Sequence, residues 1–294
     1  MIVVLGGSGY LGSYIIDYVL KNSDENILAT YNSAPTQIES EQIHWLKFDL
    51  AEQNSINCLC DEINITGINI SKLIVLSAYH HPDKVKENPK LAYEINITNL
   101  DYLIRNLPGV DSLLYVSSDV VYGQSTNNHL FKESEKTNPV NLYGKQKALA
   151  EDIILRAGYN VARCSFLIGP SLSYKKHFYD QIVLTLSSGR EIEMLCDSCR
   201  SAISFEQASK YLVDLMDFCQ NGQMGIVNIA SDEILSKYEI AKRIAHKHKL
   251  NEKLIIPVGF KDNNFFSEER AKDILMDNSK LKNLLNISSL KLEI

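Results

Sequence analysis

After its first methionine, the chain reads Ile2-Val3-Val4-Leu5-Gly6-Gly7-Ser8-Gly9-Tyr10-Leu11-Gly12. The four apolar residues predict a buried strand, and the apolar positions that follow recur at the spacing of one helix face. Between them the glycines have the spacing Gly-x-Gly-x-x-Gly, which lets a backbone turn approach a pyrophosphate at a helix N-terminus. An ordinary strand-to-helix turn is the alternative. The position of the motif at the first strand-to-helix junction favours a dinucleotide site, with contacts from Gly6, Ser8, Gly9, Tyr10, Leu11 and Gly12.

Outward from this turn, short β-branched runs alternate with helical patterns over the first half of the chain. The predicted strands are Ile2–Leu5, Ile27–Tyr31, His44–Phe48, Leu73–Leu76, Leu113–Val116 and Val161–Cys164. Strands that are separated by helices form right-handed crossovers. The pattern therefore predicts an α/β fold, with a doubly wound parallel sheet of the Rossmann type over residues 1–169.

The pattern is more mixed after Gly169-Pro170. Helices are predicted around Phe178–Ser188 and Phe205–Cys219, and a capping box at Ser236 and Glu239 opens another helix. We therefore predict that residues 170–294 form mainly a smaller, mixed α/β substrate-binding lobe. The predicted strand at 226–229 and its neighbouring helix are candidates to return to the sheet.

Composition and charge exclude several classes of function. The 294 residues are 45% hydrophobic and carry a formal net charge of −6, which is typical of a globular protein without a basic surface for nucleic acid or anionic membrane. The opening apolar run is too short for a signal peptide, and no run reaches the length of a membrane helix, so we expect a cytoplasmic protein. Cys196-x-x-Cys199 could be half of a zinc site or a redox pair. No second pair completes it, so we expect free thiols and no metal.

The end of the second predicted strand bears on the choice of cofactor. It reads Leu28-Ala29-Thr30-Tyr31-Asn32-Ser33, without the acidic residue that would bind the 2′-hydroxyl of NAD. A 2′-phosphate would meet no repulsion there, and Thr30, Asn32 and Ser33 could donate hydrogen bonds to it. NADP is therefore the preferred cofactor. Because no arginine supports the phosphate, NAD remains the alternative. Asp49 and Leu50, just after the third strand, are placed to contact the adenine.

Tyr143 and Lys147 lie four residues apart in a predicted helix, and therefore on one face of it. An ammonium group near a phenol favours the phenolate, so we expect Lys147 to lower the pKa of Tyr143 from about 10 towards neutrality. Taken alone, such a pair is usually an ordinary surface pair. Ser118 lies at the end of a predicted strand, where parallel sheets place their ligands, and the dinucleotide motif lies upstream. Together they predict a catalytic set of Ser118, Tyr143 and Lys147.

The segment Tyr115-Val116-Ser117-Ser118-Asp119-Val120-Val121-Tyr122-Gly123, followed by Tyr143-x-x-x-Lys147, resembles the extended short-chain dehydrogenase/reductases. These are the nucleotide-sugar epimerases, dehydratases and 4-ketoreductases. The resemblance implies that Tyr143 is the general acid, that Lys147 binds the nicotinamide ribose, and that Ser118 polarises a carbonyl. It also implies cofactor contacts from Ser77, Ala78, Tyr79, Asn96, Tyr143, Lys147 and Phe166.

Other segments bear on the substrate. The segment that starts at Arg200 resembles the one whose arginine binds a nucleotide-sugar diphosphate, and Lys272–Leu281 is similar to the C-terminal end of dTDP-4-dehydrorhamnose reductase-like ketoreductases. Dehydratases carry an Asp-Glu pair where this chain has Asp119-Val120, and valine cannot accept a proton. We therefore expect an NAD(P)H-dependent reductase of a nucleotide-linked 4-keto sugar, with substrate contacts from Ser118, Asp119, Val120, Tyr143 and Arg200.

Two other functions remain open, a nucleotide-sugar 4-epimerase and a non-catalytic NADP-binding regulatory subunit. Val121-Tyr122-Gly123 is closer to the epimerases, and some relatives of the ketoreductases are regulatory. The resemblance leaves the oligomeric state open, although relatives often form a homodimer through helices that flank the sheet.

Overall fold

The computed structural model describes residues 1–66, 70–173, 175–219, 224–262 and 265–294, without the side chains of residues 65 and 66. The strands are β1 (Ile2–Leu5), β2 (Ile27–Tyr31), β3 (Ile43–Lys47), β4 (Ile70–Val75), β5 (Val110–Ser118), β6 (Asn160–Cys164), β7 (Leu167–Ile168), β8 (Ile192–Leu195), β9 (Cys199–Arg200), β10 (Ile203–Ser204), β11 (Ile226–Ile229), β12 (Leu235–Ser236) and β13 (Ile255–Val258). The α-helices are α1 (Tyr10–Asn22), α2 (Gln53–Thr66), α3 (Pro82–Glu87), α4 (Pro89–Tyr93), α5 (Leu100–Asn106), α6 (Leu142–Arg156), α7 (Phe178–Ser187), α8 (Phe205–Asp214), α9 (Lys237–Lys247) and α10 (Ser279–Leu285).

Seven of these strands form one parallel sheet in the order β11-β6-β5-β4-β1-β2-β3. The central strand β1 is fully buried and its neighbour β4 is buried at four of its six positions, as expected when helices cover both faces. The chain runs outward in one direction from β1 to β3, and then crosses over to β4 and runs in the other direction. This confirms the predicted doubly wound α/β fold, and it places the topological switch point between β1 and β4.

Two apolar clusters cover the two faces of this sheet. One contains Ile15 of α1, Phe205 of α8 and Ile229 of β11, and the other contains Leu59 of α2, Leu103 of α5 and Ile154 of α6. The predicted strand at 226–229 pairs in parallel with β6 and so forms an edge of the sheet.

A separate apolar cluster joins α7, α9, β8 and β13, and we call this part the second lobe. The capping box at Ser236 and Glu239 is formed at the start of α9, as predicted. Helix α8 ends at Asp214 and continues as a 3-10 turn over Leu215–Phe218, so the helix predicted to Cys219 is shorter than expected. In the part of the chain that the structure describes, no helix combines the length and the apolar character needed to cross a membrane.

Candidate active site

The predicted functional segments meet at the carboxyl ends of the central strands. The glycine turn follows β1, Ser77–Tyr79 follow β4, and Ser118 ends β5. Because β4 pairs with both β1 and β5, these segments lie side by side across the switch point. Doubly wound sheets bind their ligands at this location.

The glycine turn is packed too tightly for side chains. A Cβ atom at Gly12 would clash with the carbonyl oxygens of Gly6 and Gly7, so only glycine allows α1 to approach the turn this closely. Helix α1 begins at Tyr10, and its N-cap, Gly9, supplies no side-chain cap. A backbone turn that leads into an uncapped helix N-terminus fits a pyrophosphate.

Thr30 has a different role from the one predicted. Its side chain is 1% exposed and its hydroxyl accepts a hydrogen bond from the backbone amide of Gly6 at 2.8 Å. It therefore supports the glycine turn from below and is too buried to contact a 2′-phosphate. Asn32 and Ser33, by contrast, are exposed just beyond the end of β2 and remain candidates for that contact.

Two other predicted cofactor residues are mainly structural. The side chains of Leu11 and Leu50 are buried in the two sheet clusters, so only their backbone groups can face a ligand. Asp49 is partly exposed, and its carboxylate accepts a hydrogen bond from the backbone amide of Ala51.

Asn96 holds the Ser77–Tyr79 segment after β4, which is predicted to contact the cofactor. Its Oδ1 accepts from the amide of Tyr79 at 2.7 Å, and its Nδ2 donates to the carbonyl oxygen of Tyr79 at 3.0 Å and to Oε1 of Gln146 at 2.9 Å. Asn96 lies in a π-helical turn, Glu94–Asn99, of the kind that often occurs at functional sites. The amide pair therefore links the Ser77–Tyr79 segment to α6, the helix that carries Tyr143.

Lys147 is buried, and its ammonium group has two partners on β5. Nζ donates to the hydroxyl of Tyr115 at 2.7 Å and to the carbonyl oxygen of Val116 at 2.8 Å. Within the described chain, no hydrogen bond joins Lys147 to Tyr143. Burial lowers the pKa of Lys147 to about 8, because an ammonium group loses hydration there.

The predicted lowering of the pKa of Tyr143 is wrong for this structure. Burial, and then the negative charge of Asp119, raise the pKa of Tyr143 above its ordinary value, because both disfavour a phenolate. Tyr143 is therefore a protonated phenol over the physiological pH range. In that state it can donate a proton, and the raised pKa also makes the phenol a weaker acid.

Ser118 and Asp119 form the other side of the site. The Ser118 hydroxyl donates to Oδ1 of Asp119 at 3.0 Å, and Oδ2 of Asp119 lies 3.6 Å from Nε of Arg200. Burial raises the pKa of Asp119, while Arg200 opposes that shift. The structure thus pairs Ser118 with Asp119 and places Tyr143 close enough for the charge of Asp119 to act on it, and Val120 is partly buried in the same segment.

The guanidinium of Arg200 binds several protein groups, although the sequence predicted that it binds a diphosphate. Nη1 donates to the carbonyl oxygens of Cys199 and Lys272, both at 2.7 Å, and Nη2 donates to that of Ala271 at 2.8 Å. Together with the ion pair to Asp119, these bonds hold the 271–272 segment against the site. Arg200 therefore lies beside the predicted catalytic residues, but its guanidinium is largely occupied by protein acceptors.

Tyr115 and Gln146 are site residues that sequence reasoning missed. Tyr115 lies within the quoted family segment, and a tyrosine in a buried strand needs a partner for its hydroxyl. That signal could have identified it as the partner of a buried lysine. Gln146 precedes Lys147 directly and is 1% exposed, but nothing in its sequence context indicates that it pairs with Asn96.

Metal and disulfide chemistry find no support in the described part of the chain. No group of three or more His, Cys, Asp or Glu side chains there could hold a metal ion. All six cysteines are free thiols, including Cys196 and Cys199.

A family model, described as the RmlD substrate binding domain, matches residues 1–292. The chain belongs to the RmlD substrate-binding-domain family. This confirms the resemblance on which the sequence-based expectations were built.

Other proteins similar to this RmlD-family chain differ in what their names say they do. Methionine adenosyltransferase 2 subunit beta of Danio rerio is 24% identical over 268 residues, which cover 87% of this chain and 76% of that one. A hypothetical dTDP-4-dehydrorhamnose reductase from Sulfolobus tokodaii is 22% identical, with a TM-score of 0.78 and coverage of 99% and 97%. The dTDP-4-dehydrorhamnose reductase of Bacillus anthracis in complex with NADP is 18% identical, with a TM-score of 0.78 and coverage of 99% and 94%. The two structures establish the shared fold.

Proposed function

We propose that this protein is an NAD(P)H-dependent reductase of a 4-keto deoxysugar attached to a nucleoside diphosphate, acting in the synthesis of surface polysaccharide sugars. The observation that carries the proposal is the position of Tyr143 at the start of α6, which packs against the Ser118–Val120 segment at the sheet edge where the glycine turn also lies. Reduction of a ketone needs a proton donor next to the carbonyl oxygen, and this arrangement provides one.

The residues around the switch point fit a nicotinamide dinucleotide. The glycines of the Gly6–Gly12 turn let its backbone approach a pyrophosphate closely, and exposed Asn32 and Ser33 can donate to a 2′-phosphate where no carboxylate opposes it. These features favour NADP, and a relative with the same fold has been crystallised with NADP. When bound, the cofactor supplies the hydride.

The chain's own groups handle the carbonyl oxygen. The Ser118 hydroxyl turns from Asp119 to donate a hydrogen bond to it, and Tyr143 transfers its phenolic proton to the same oxygen as negative charge develops there. The buried ammonium of Lys147 favours the resulting phenolate electrostatically and is held in place by Tyr115 and Val116.

The test replaces the proton donor. Tyr143→Phe should lower kcat for NADPH oxidation by about 100-fold to 10,000-fold, the usual contribution of a general acid. NADPH affinity, measured by the fluorescence of the bound cofactor, should be unchanged. Wild-type protein is assayed with NADPH and NADH against a panel of nucleotide-linked 4-keto sugars, with Tyr93→Phe, an exposed tyrosine, as the matched control. Full activity in Tyr143→Phe would exclude the proposed role.

A regulatory function is the second candidate, because a similar protein is named as a subunit of methionine adenosyltransferase. A regulatory protein needs the cofactor site but not the proton donor. If wild-type protein binds NADPH and oxidises it with no member of the panel, the regulatory function is favoured over the reductase.

A further inference from the structure

Lys237 is the first residue of α9, and its ammonium group lies among three aromatic rings. Nζ is 5.6 Å from the ring centre of Phe166, 5.7 Å from that of Phe178 and 5.3 Å from that of Phe266. Phe166 follows β6, whose last residue, Cys164, pairs with Ser118 on β5. The aromatic group around Lys237 therefore adjoins the candidate active site.

The charges around Lys237 are also positive. Arg200 and Arg270 are the charged groups that act on it, and after burial they are the causes that lower its pKa to about 8. Each arginine has its own carboxylate, since Arg200 faces Asp119 at 3.6 Å and Arg270 binds Asp83 at 2.8 Å. Among the residues that the structure describes, Lys237 has neither a carboxylate nor a hydrogen-bond acceptor.

This placement of Lys237 is unfavourable for stability. A cation at the N-terminus of a helix meets the positive end of the helix dipole, and Lys237 occupies the first position of the 11-residue helix α9. Aromatic faces attract a cation, but by only about 0.5–2 kcal/mol. An anion between the rings and the three cations would relieve these costs, and exclusion of water by the rings would strengthen its attraction to Lys237.

We propose that Lys237 binds the diphosphate of the nucleotide-linked substrate, the role that sequence analysis assigned to Arg200. The inference rests on the proposed function for the identity of the substrate. Arg200 is occupied by Asp119 and three carbonyl oxygens, so it contributes mainly charge and positions the 271–272 segment. A lysine ammonium suits phosphate oxygens, because it is a point charge that does not require a planar, bidentate partner.

Calorimetric titration tests the contact without turnover. UDP, dTDP and inorganic pyrophosphate are titrated into NADP-saturated wild-type protein, Lys237→Met and Lys237→Arg. Loss of one charge-assisted hydrogen bond should weaken UDP or dTDP binding by about 10-fold to 100-fold in Lys237→Met. Lys237→Arg should recover most of the affinity. Lys242→Met is the matched control, because Lys242 is an exposed lysine of the same helix that lies 3.7 Å from Glu252.

Thermal unfolding without nucleotide separates a binding role from a structural one. Lys237→Met should melt at the wild-type temperature or above it, since it removes an uncompensated cation, and should lose the stabilisation that UDP gives the wild type. A melting temperature of Lys237→Met well below that of the wild type, with UDP affinity unchanged in Lys237→Met and in Lys237→Gln, would overturn the proposal.

Two other outcomes would also overturn it. The proposal fails if wild-type protein binds none of the three probes. It also fails if Lys237→Met weakens the binding of a further ligand, UDP-glucuronic acid, but not that of UDP, which would assign Lys237 to a sugar carboxylate. Lys237-dependent UDP binding in a protein that oxidises NADPH with no keto sugar would keep this inference and reject the reductase.

Discussion

At the residue scale, Lys147 depends on groups that lie far from it in sequence. Its hydrogen bonds go to Tyr115 and Val116, which are 32 and 31 residues away. The spacing of Tyr143 and Lys147 could be recognised from the sequence because it is local. Burial lowers the pKa of Lys147, and burial together with Asp119 raises that of Tyr143, so both shifts depend on the folded chain and local spacing does not reveal them.

The rate of reduction should fall above about pH 8. Because the pKa of Lys147 is lowered to about 8, the group is charged below that pH and loses its proton as the pH rises through it. Neutral Lys147 no longer favours the phenolate of Tyr143, so log kcat should decrease with a slope of about −1 above the break. The measurement is kcat for NADPH oxidation between pH 6 and pH 10.

Tyr115→Phe should move this break to lower pH. The substitution removes an acceptor from a buried ammonium group, which makes the charged form less favourable. Tyr102→Phe is the control, since the Tyr102 hydroxyl bonds to Asn57 at an exposed site. A pH profile that is flat to pH 10 in wild-type protein would show that the charge of Lys147 is not needed.

At the element scale, the close approach of α6 to the segment after β5 determines where Tyr143 lies. Asn141 is the N-cap of this helix and its Oδ1 accepts from the amide of Gly144, and a Cβ at Gly144 would lie 2.8 Å from the carbonyl oxygen of Val120. The sequence predicted this helix because its start signal and periodicity are local. It did not predict the π-helical turn at Glu94–Asn99, which has no comparable local signal.

Gly144→Ala should reduce both stability and activity. The new methyl group would also lie 2.7 Å from Cβ of Pro139, so α6 must shift, at a cost of about 1–3 kcal/mol in the free energy of unfolding. The shift displaces Tyr143, so kcat should fall while NADPH affinity changes little. Gly109→Ala is the control, because a Cβ there meets nothing within 4 Å. Equal stability and kcat in the two variants would contradict this account.

At the scale of the whole molecule, the C-terminal residues join the main sheet to the second lobe. Leu290 is buried in the cluster with α1 and α8, whereas Leu292 is buried in the cluster of the second lobe. The backbone amide of Leu290 donates to Asp232 at 2.7 Å, and that of Leu292 donates to Glu233 at 2.8 Å. The chain also passes from the sheet to the second lobe after β6 and returns to the sheet at β11. We therefore expect the sheet and the second lobe to unfold together.

Leu290→Ala should lower the free energy of unfolding by about 2–5 kcal/mol, the usual cost of truncating a buried leucine. Because the two parts share this segment, calorimetry should show one transition that moves to lower temperature. Leu184→Ala on α7 is the control, since Leu184 is 51% exposed. Two separate transitions, of which only one moves, would show that the sheet and the second lobe unfold independently.

The domain boundary at residue 169 and the formation of a homodimer stay predictions.

The sequence alone determined the features that depend on local pattern. The glycine turn, the alternation of strands and helices, and the Ser118, Tyr143 and Lys147 motif can be read from it, because spacing along a strand or helix decides which side chains share a face. Tertiary structure alone decided the surroundings of those residues. It paired Lys147 with Tyr115, committed Arg200 to Asp119 and backbone carbonyls, buried Thr30 beneath the turn, and left Lys237 among aromatic rings. These outcomes depend on burial and on contacts between distant segments. The protonation states of Tyr143 and Lys147 and the position of the Lys237 cation could therefore be recognised only in the folded chain.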